Sequence, residues 1–327
     1  MAAGVALPLV CALLAGCSGV QSALDPAGPD AALIGQIGWI MTAGGAAIFV
    51  LVLALTAWAL YAPPAARTWL GSKAAVVVGG IAFPVVVLAA LLVYGLALAG
   101  HLVSPPAGEP LRIAVVGERW WWRVHYLGED GSIDVVSANE VRIPTGRPVE
   151  FLLRTADLIH SFWIPSLDGK LDMIPGRENS LVLEAARPGI YRGQCAEYCG
   201  AQHAHMAFDV VAYAPAEFEN WLAAEREPAE APADGFLAQG QKVFLATGCG
   251  ACHTIRGTDA IGTIGPDLTH VSNRLSLAAG TLANNQGAFA AWLAHSQRIK
   301  PGNLMPSFEI LAPEDLRALA AYLESLK

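Results

Sequence analysis

Charge is missing from two long stretches near the start of the chain, residues 33–61 and 74–100, and neither carries the polar stripe of an amphipathic helix. A helix needs roughly 20 apolar residues to cross a bilayer core, and both stretches exceed that. They predict a transmembrane hairpin over 33–103, with spans about 37–61 and 75–99. Pro84 would kink the second span, which a spanning helix tolerates. The connector APPAARTWLGSK holds Arg67 and Lys73, the only basic residues before position 104. Positive charge is retained on the cytoplasmic side, so the connector faces inward and everything after residue 101 faces outward.

A shorter apolar stretch precedes the hairpin and ends LAGCSG, Leu14 to Gly19. It is too short to span and reads as the hydrophobic region of a signal peptide over residues 1–17. The Leu-Ala-Gly-Cys run is similar to a bacterial lipoprotein cleavage site, which implies Cys17 as a lipidated N-terminus. No Lys or Arg lies between Met1 and Cys17, a departure from the positive start usual for such a peptide.

From residue 111 the hydrophobic period shortens. The runs LRIAVV, WWWRVHYL, IDVV, VEFLLRT, SLVLEA, GIYRGQ and MAFDVVAY are set apart by turn residues such as Asp130-Gly131, Gly146 and Pro188-Gly189. Short strands at that spacing predict an all-β Greek-key sandwich over 108–225. A helix-like stretch, AEFENWLAAERE, ends it, followed by a Pro/Ala/acidic linker over 226–234. In the last segment, 235–327, Leu316, Leu319, Ala320 and Leu323 recur at helical spacing behind Pro313, which suits a first helical turn.

Composition supports this division. Charged residues make up 15% of the 327, against about 25% in an ordinary soluble domain, as expected of a chain partly inside a membrane. The formal net charge of −8 falls entirely on residues 104–230, because the segments on either side are neutral. A nucleic-acid binder would carry a basic face instead. The acidic middle segment could steer a basic partner by long-range attraction.

Of the six cysteines, Cys11 and Cys17 lie in the leader, and the others form two tight pairs, Cys195/Cys199 and Cys249/Cys252. A disulfide scaffold spreads its cysteines to close long loops, whereas tight pairs beside histidines read as metal or haem chemistry. The segment CAEYCGAQHAHM places Cys195, Cys199, His203 and Met206 on one loop, and His160 lies 35 residues before Cys195. Soft thiolates with imidazoles and a weak thioether are the ligand set of copper electron-transfer centres. Two thiolates four residues apart could bridge two copper ions, each taking one histidine. A structural zinc site or a disulfide are the other readings; zinc would leave Met206 without a purpose.

The second pair sits in C-x-x-C-H, the attachment signature of c-type haem: Cys249 and Cys252 would form the thioether bonds and His253 the proximal iron bond. Met305 is the only methionine after His253 and hence the only thioether available as sixth ligand. His270 and His295 are the competing candidates.

These residues together resemble subunit II of the haem–copper cytochrome c oxidases. The loop C-x-E-x-C-x-x-x-H-x-x-M, the run HSFWIPSLDGKLDMIPGR and the aromatic stretch GERWWWRVHY are similar to that family's over about residues 30–225. Residues 235–327 resemble a small class I cytochrome c. The resemblance implies a multi-domain architecture: a two-helix transmembrane hairpin, an all-β cupredoxin-like Greek-key sandwich with a dinuclear CuA centre, and an all-α cytochrome c domain. It further implies Cys195 and Cys199 as bridges, His160 and His203 on one copper each, and Met206 on one copper, with the Glu197 carbonyl on the other. The Glu197 carboxylate would help hold a magnesium ion shared with subunit I, and Trp120 would admit electrons to the copper. Trp120 and Trp122 would share a strand face, so either could simply be core. His125 and His205 match no ligand position.

The implied function is that of an oxidase electron inlet in a bacterial inner membrane, with copper and haem domains on the outer side. It would receive electrons from cytochrome c or another external donor and assemble with subunit I and other oxidase subunits. The family often carries a Glu seven residues before the proline of its second span; Val77 stands there instead, leaving proton uptake open. Rival readings are the inlet of a copper-containing nitric oxide reductase and a membrane-anchored copper chaperone.

Overall fold

The computed structural model describes residues 18–102 and 108–327. The signal-peptide segment and the lipidation site at Cys17 lie outside the described residues. Contacts divide the chain into two units, residues 32–106 on the one hand, and the segments ending at Ala31 and beginning at Ala107 on the other.

The first unit consists of two apolar helices. Helix α1 (Pro29–Tyr61) begins in the other unit, and α2 runs over Lys73–Leu102; their most apolar windows have mean hydropathies of 2.2 and 2.8. Both are long and apolar enough to cross a membrane. Two of their polar side chains are satisfied locally: the Thr42 and Thr56 hydroxyls donate to the carbonyls of Gly38 and Val52, each at 2.8 Å. In the connector, the Arg67 guanidinium donates to the Ala59 carbonyl at 2.8 Å, a cation placed where a helix C-terminus favours one. Ser72 caps α2 by accepting from the Ala75 amide at 3.1 Å. Pro84 is accommodated by a π-turn, Val78–Ala82, immediately before it, and Val77 is the last residue ahead of that turn.

In the second unit, ten strands build a sandwich: β1 (Leu111–Glu118), β2 (Trp121–Leu127), β3 (Ile133–Ala138), β4 (Glu140–Pro144), β5 (Val149–Thr155), β6 (His160–Trp163), β7 (Lys170–Met173), β8 (Asn179–Leu183), β9 (Gly189–Cys195) and β10 (Ala207–Tyr213). Two five-stranded sheets have the orders β3-β2-β1-β5-β8 and β4-β10-β9-β6-β7. The pairs β1/β5 and β4/β10 run parallel, so both sheets are mixed. Alternate residues of β1 and β2 are buried, as expected when one sheet face meets a core. That core is aromatic: Phe162 stacks on Phe208 with centroids 4.7 Å apart, and Trp122 meets Phe208 edge-on at 5.0 Å. Strands β4, β6 and β7 go beyond the apolar runs of the sequence, because they are short and paired by tertiary contact.

The sandwich is cupredoxin-like. One expectation about it is corrected: Trp120 lies in the turn before β2 and not on the strand, so it does not share a strand face with Trp122. Trp122 is fully buried core.

Residues 18–31 lie along this sandwich. The Val20 carbonyl accepts from the Arg192 amide at 2.8 Å, and the Ala27 carbonyl accepts from the Ala186 amide at 2.8 Å. Helix α3 (Pro215–Arg226) packs on β3, β4 and β10, burying Phe218 and Leu222, and Arg226 forks onto Asp134 at 2.6 Å. The segment after it is pinned rather than free, since the Ala229 amide donates to the Arg256 carbonyl at 3.0 Å.

The C-terminal module is built on α4 (Gly235–Ala246), α5 (Gln286–Ile299) and α6 (Pro313–Ser325), with one minimal hairpin of β11 (Ser276–Leu277) and β12 (Leu282–Ala283). Asp234 caps α4, accepting from the Phe236 and Leu237 amides. Helices α4 and α6 cross at Gly240, where a Cβ would come within 2.1 Å of the Ala318 carbonyl oxygen. Backbone cannot yield there as a side chain could, so Gly240→Ala is expected to destabilise the module by about 2–3 kcal/mol. Calorimetric unfolding of the full chain checks this, since the sandwich transition should stay in place.

Candidate metal centre and tetrapyrrole cavity

Strand β9 ends at Cys195 and β10 starts at Ala207, and the loop between them closes where the Cys195 amide donates to the Met206 carbonyl at 2.9 Å. Within this loop the thiols of Cys195 and Cys199 stand 3.8 Å apart. His160 Nδ1 lies 3.8 Å from the Cys195 sulfur, and His203 Nδ1 lies 3.7 Å from that of Cys199. The Met206 sulfur is 3.8 Å from Cys199, and the Glu197 carbonyl oxygen is 3.1 Å from Cys195. All six expected donors thus converge, and Cys195, Cys199, His160 and Met206 are buried. Among the described residues, His160, Cys195 and Cys199 form a cluster that could hold a metal ion.

The donor set fits a soft metal pair. Each imidazole faces its own thiol, and a buried thioether points into the cluster, which a closed zinc site of two Cys and two His would not need. The Cys199 thiol, and then His160, favours the thiolate of Cys195 and holds it far below the usual thiol range. Its hydrogen bond to Cys195, and then burial and the Cys195 charge, raise the Cys199 thiol, and a bound cation would reverse that preference. Both cysteines are free, with their sulfurs 3.8 Å apart.

His160 is aimed by its surroundings. Its ring lies over Gly117 of β1, where a Cβ would come within 2.8 Å of Cδ2. Its Nε2 bonds to the Asp157 carboxylate at 2.9 Å, which leaves Nδ1 turned to Cys195. Burial opposes the charge on Asp157, but hydrogen bonds from His160 and from the Leu158 and Arg119 amides keep its carboxyl below the usual range. Asp157 was not singled out from the sequence, although a carboxylate three residues before a ligand histidine is a readable signal.

The Glu197 carboxylate is half-exposed and pairs with Lys170 at 3.7 Å. His205 is exposed and bonds Gln202 through Nδ1 at 3.0 Å. His125, on β2, is likewise apart from the cluster.

A cavity of about 390 Å³ opens beside this centre, lined by Cys249, Cys252, His253 and Met305 with the apolar walls of Phe244, Phe289, Trp292 and Phe308. The His253 Nδ1–H donates to the Pro266 carbonyl at 2.7 Å, which leaves Nε2 as the lone-pair nitrogen. Burial lowers the pKa of His253, keeping the ring neutral and able to bind a metal. Gly265 lies against that ring, where a Cβ would be 2.6 Å from Cε1. Two free thiols, a neutral imidazole and a thioether around one apolar cavity fit a covalently attached haem. The competing histidines are engaged elsewhere: His270 lies between the carbonyls of Lys327 and Glu227, and His295 pairs with Glu309.

Trp120 joins the two sites. Its indole N–H donates to the Cys199 carbonyl at 2.8 Å, and its ring also lines the cavity. Gly200, at φ +108°, fits under the ring, where a Cβ would be 3.3 Å from Cζ2.

Two family profiles match the chain: "Cytochrome C oxidase subunit II, periplasmic domain" over residues 127–213 and "Cytochrome c" over 237–327. Cytochrome c oxidase subunit 2 of Alkalihalophilus pseudofirmus is 38% identical over 225 residues, covering 68% of this chain and 64% of that protein. The corresponding protein of Bacillus subtilis is 32% identical over 232 residues, with the same two shares. The chain therefore spans 64% of the length of these relatives. A crystal structure of the periplasmic domain of subunit II of cytochrome oxidase of Bradyrhizobium japonicum is 29% identical, covering 37% of this chain and 96% of that one with a TM-score of 0.34.

Asp157 is expected to matter to metal affinity without touching metal. Asp157→Ala should weaken copper binding by about 10- to 100-fold in a competition titration against a chelator.

Proposed function

The chain belongs to the cytochrome c oxidase subunit II family, with a cytochrome c domain following the copper-loop domain, and we propose that it is the electron inlet of a bacterial terminal oxidase. In this reading it takes electrons from cytochrome c or another external donor and delivers them to the haem–copper subunit I, which reduces dioxygen to water. A covalent haem c and a dinuclear CuA centre, when bound, supply reversible one-electron chemistry.

The haem would be held by Cys249, Cys252, His253 and Met305, and the copper pair by His160, Cys195, Cys199, His203, Met206 and the Glu197 carbonyl. The Glu197 carboxylate would face subunit I and share a magnesium ion there, exchanging its Lys170 partner for the metal. Trp120 carries this reading: one side chain is hydrogen-bonded to the copper loop and lines the cavity of the C-x-x-C-H motif.

The residues of this chain position and insulate. Asp157 and the Pro266 carbonyl fix the tautomers of His160 and His253, so that each presents a lone pair inward. Phe244, Phe289, Trp292 and Phe308 keep water from the haem cavity, and the aromatic core behind His160 does the same for the copper loop. No residue makes or breaks a bond to dioxygen; that chemistry belongs to subunit I.

The domain plan supports a two-span topology. Residues 18–28 precede α1 and residues from 108 follow α2, yet both belong to one compact unit, so an even number of crossings separates them. With Arg67 and Lys73 inside, the sandwich and the cytochrome module lie on the outer side of the inner membrane. The proposed boundaries are 1–17 for a signal peptide cleaved before a lipidated Cys17, 33–103 for the hairpin, 108–225 for the CuA domain, 226–234 for the linker and 235–327 for the cytochrome.

The purified complex should hold about two copper ions per chain in this subunit, with a multi-line mixed-valence EPR signal, and Cys195→Ser should abolish that signal. One copper per chain without that signal would favour a copper chaperone. The haem should survive acid–acetone extraction, and Cys249→Ser with Cys252→Ser should release it. Oxygen uptake is expected; consumption of nitric oxide but not dioxygen would overturn the oxidase reading.

A further inference from the structure

One loop of the cytochrome module, residues 300–305, meets the copper module at three consecutive positions. The Lys300 ammonium, 3% exposed, donates to the carbonyls of Trp120 and His205 at 2.7 Å each and to that of Ala278 at 2.9 Å. The Pro301 carbonyl accepts from the Gln202 side chain at 2.9 Å. Gly302, at φ +82°, lies against the far edge of the Trp120 ring, where a Cβ would be 3.5 Å from Cη2. Three residues on, Met305 lines the haem cavity. On the opposite side, Gln202 and His205 stand next to the copper-loop donors His203 and Met206.

An ammonium has three N–H donors and no acceptor, and here all three meet neutral carbonyls. Among the described residues no carboxylate pairs with it, and burial draws its pKa down to about 7. A buried cation held this way tolerates one arrangement of its acceptors, and an apolar side chain of the same size would leave three buried carbonyls without their donor. Two of those acceptors belong to the copper module and one to the cytochrome module, so the bonds close only when the modules are in register.

We propose that Lys300 is a positioning residue that locks the cytochrome module onto Trp120 in a single docked register, closing that tryptophan to donors outside the chain. The docked loop leaves Trp120 only 7% exposed. The consequence for electron flow rests on the proposed function; the docking itself does not.

The test uses the full chain in its assembled complex, as wild type, Lys300→Met and Gln202→Leu. Two backbone amides report docking, because each donates across the interface: Ala207 to the Ala279 carbonyl at 3.1 Å, and Leu275 to the Glu140 carboxylate at 2.7 Å. Hydrogen bonds to a charged group shift an equilibrium by about tenfold or more. Lys300→Met should therefore speed exchange of these amides by about tenfold, with the β1/β5 ladder and α6 unchanged as the control for folding. Gln202→Leu should act in the same direction more weakly, and it decides the matter if Lys300→Met loses protection in the controls.

In the same variants, transfer from haem to copper should slow while reduction of the haem by a small-molecule donor keeps its rate. Unchanged exchange at Ala207 and Leu275 overturns the lock. Faster exchange with unchanged haem-to-copper transfer overturns the positioning role. A wild-type complex lacking covalent haem or copper would overturn the proposed function instead, and the exchange measurement would then decide the lock alone.

Discussion

Two buried thiols 3.8 Å apart are the constraint on which the rest of this structure turns. Two thiolates so close cannot both be ionised without a cation between them, and the pair accordingly shares its charge unequally while metal-free. Holding them together requires a rigid frame, which the sandwich supplies: β9 delivers Cys195, β10 receives the chain after Met206, and β6 brings in His160. Phe162 and Phe208 stack directly behind these strands, so the loop rests on close-packed core. A site assembled in advance suits electron transfer, because little has to move when the charge changes.

The interface between the sandwich and the helical module follows a different principle. It is crossed by polar bonds: Arg142 to the Asn273 carbonyl at 2.6 Å, Ser276 to Asp209 at 2.6 Å, and the Leu275 amide to Glu140 at 2.7 Å. Directional bonds specify register more sharply than apolar contact does. Register is what the proposed relay between a copper and a haem site would demand, and Trp120 is held between Gly200 and Gly302 at that interface.

Much of the candidate chemistry was legible in the sequence because its ligands are local. Five of the six donors at the metal centre fall within residues 195–206, and C-x-x-C-H is contiguous. The two long apolar helices were equally plain, since a helix able to cross lipid demands a long uncharged run. Two orienting residues, Gly117 and Pro266, were not legible, because each acts only once the chain has brought it to its histidine. The strands β4, β6 and β7 are hidden in the sequence for a related reason, being too short to show a period and held by their neighbours. The turn position of Trp120 likewise follows from sheet geometry rather than from alternation along WWWRVHYL.

Sequence by itself determined the two apolar helices, the alternation of the sandwich, the helical C-terminal module and the candidate ligands that lie close together in residues 195–206 and in C-x-x-C-H. These depend on side-chain chemistry and on spacings shorter than one turn or loop. Tertiary structure alone decided that His160 joins the loop 35 residues away, that Met305 rather than His270 or His295 lines the haem cavity, and that Lys300 reaches into the neighbouring module. Each of these joins residues far apart along the chain, and only the packed sheets and helices fix where such residues meet.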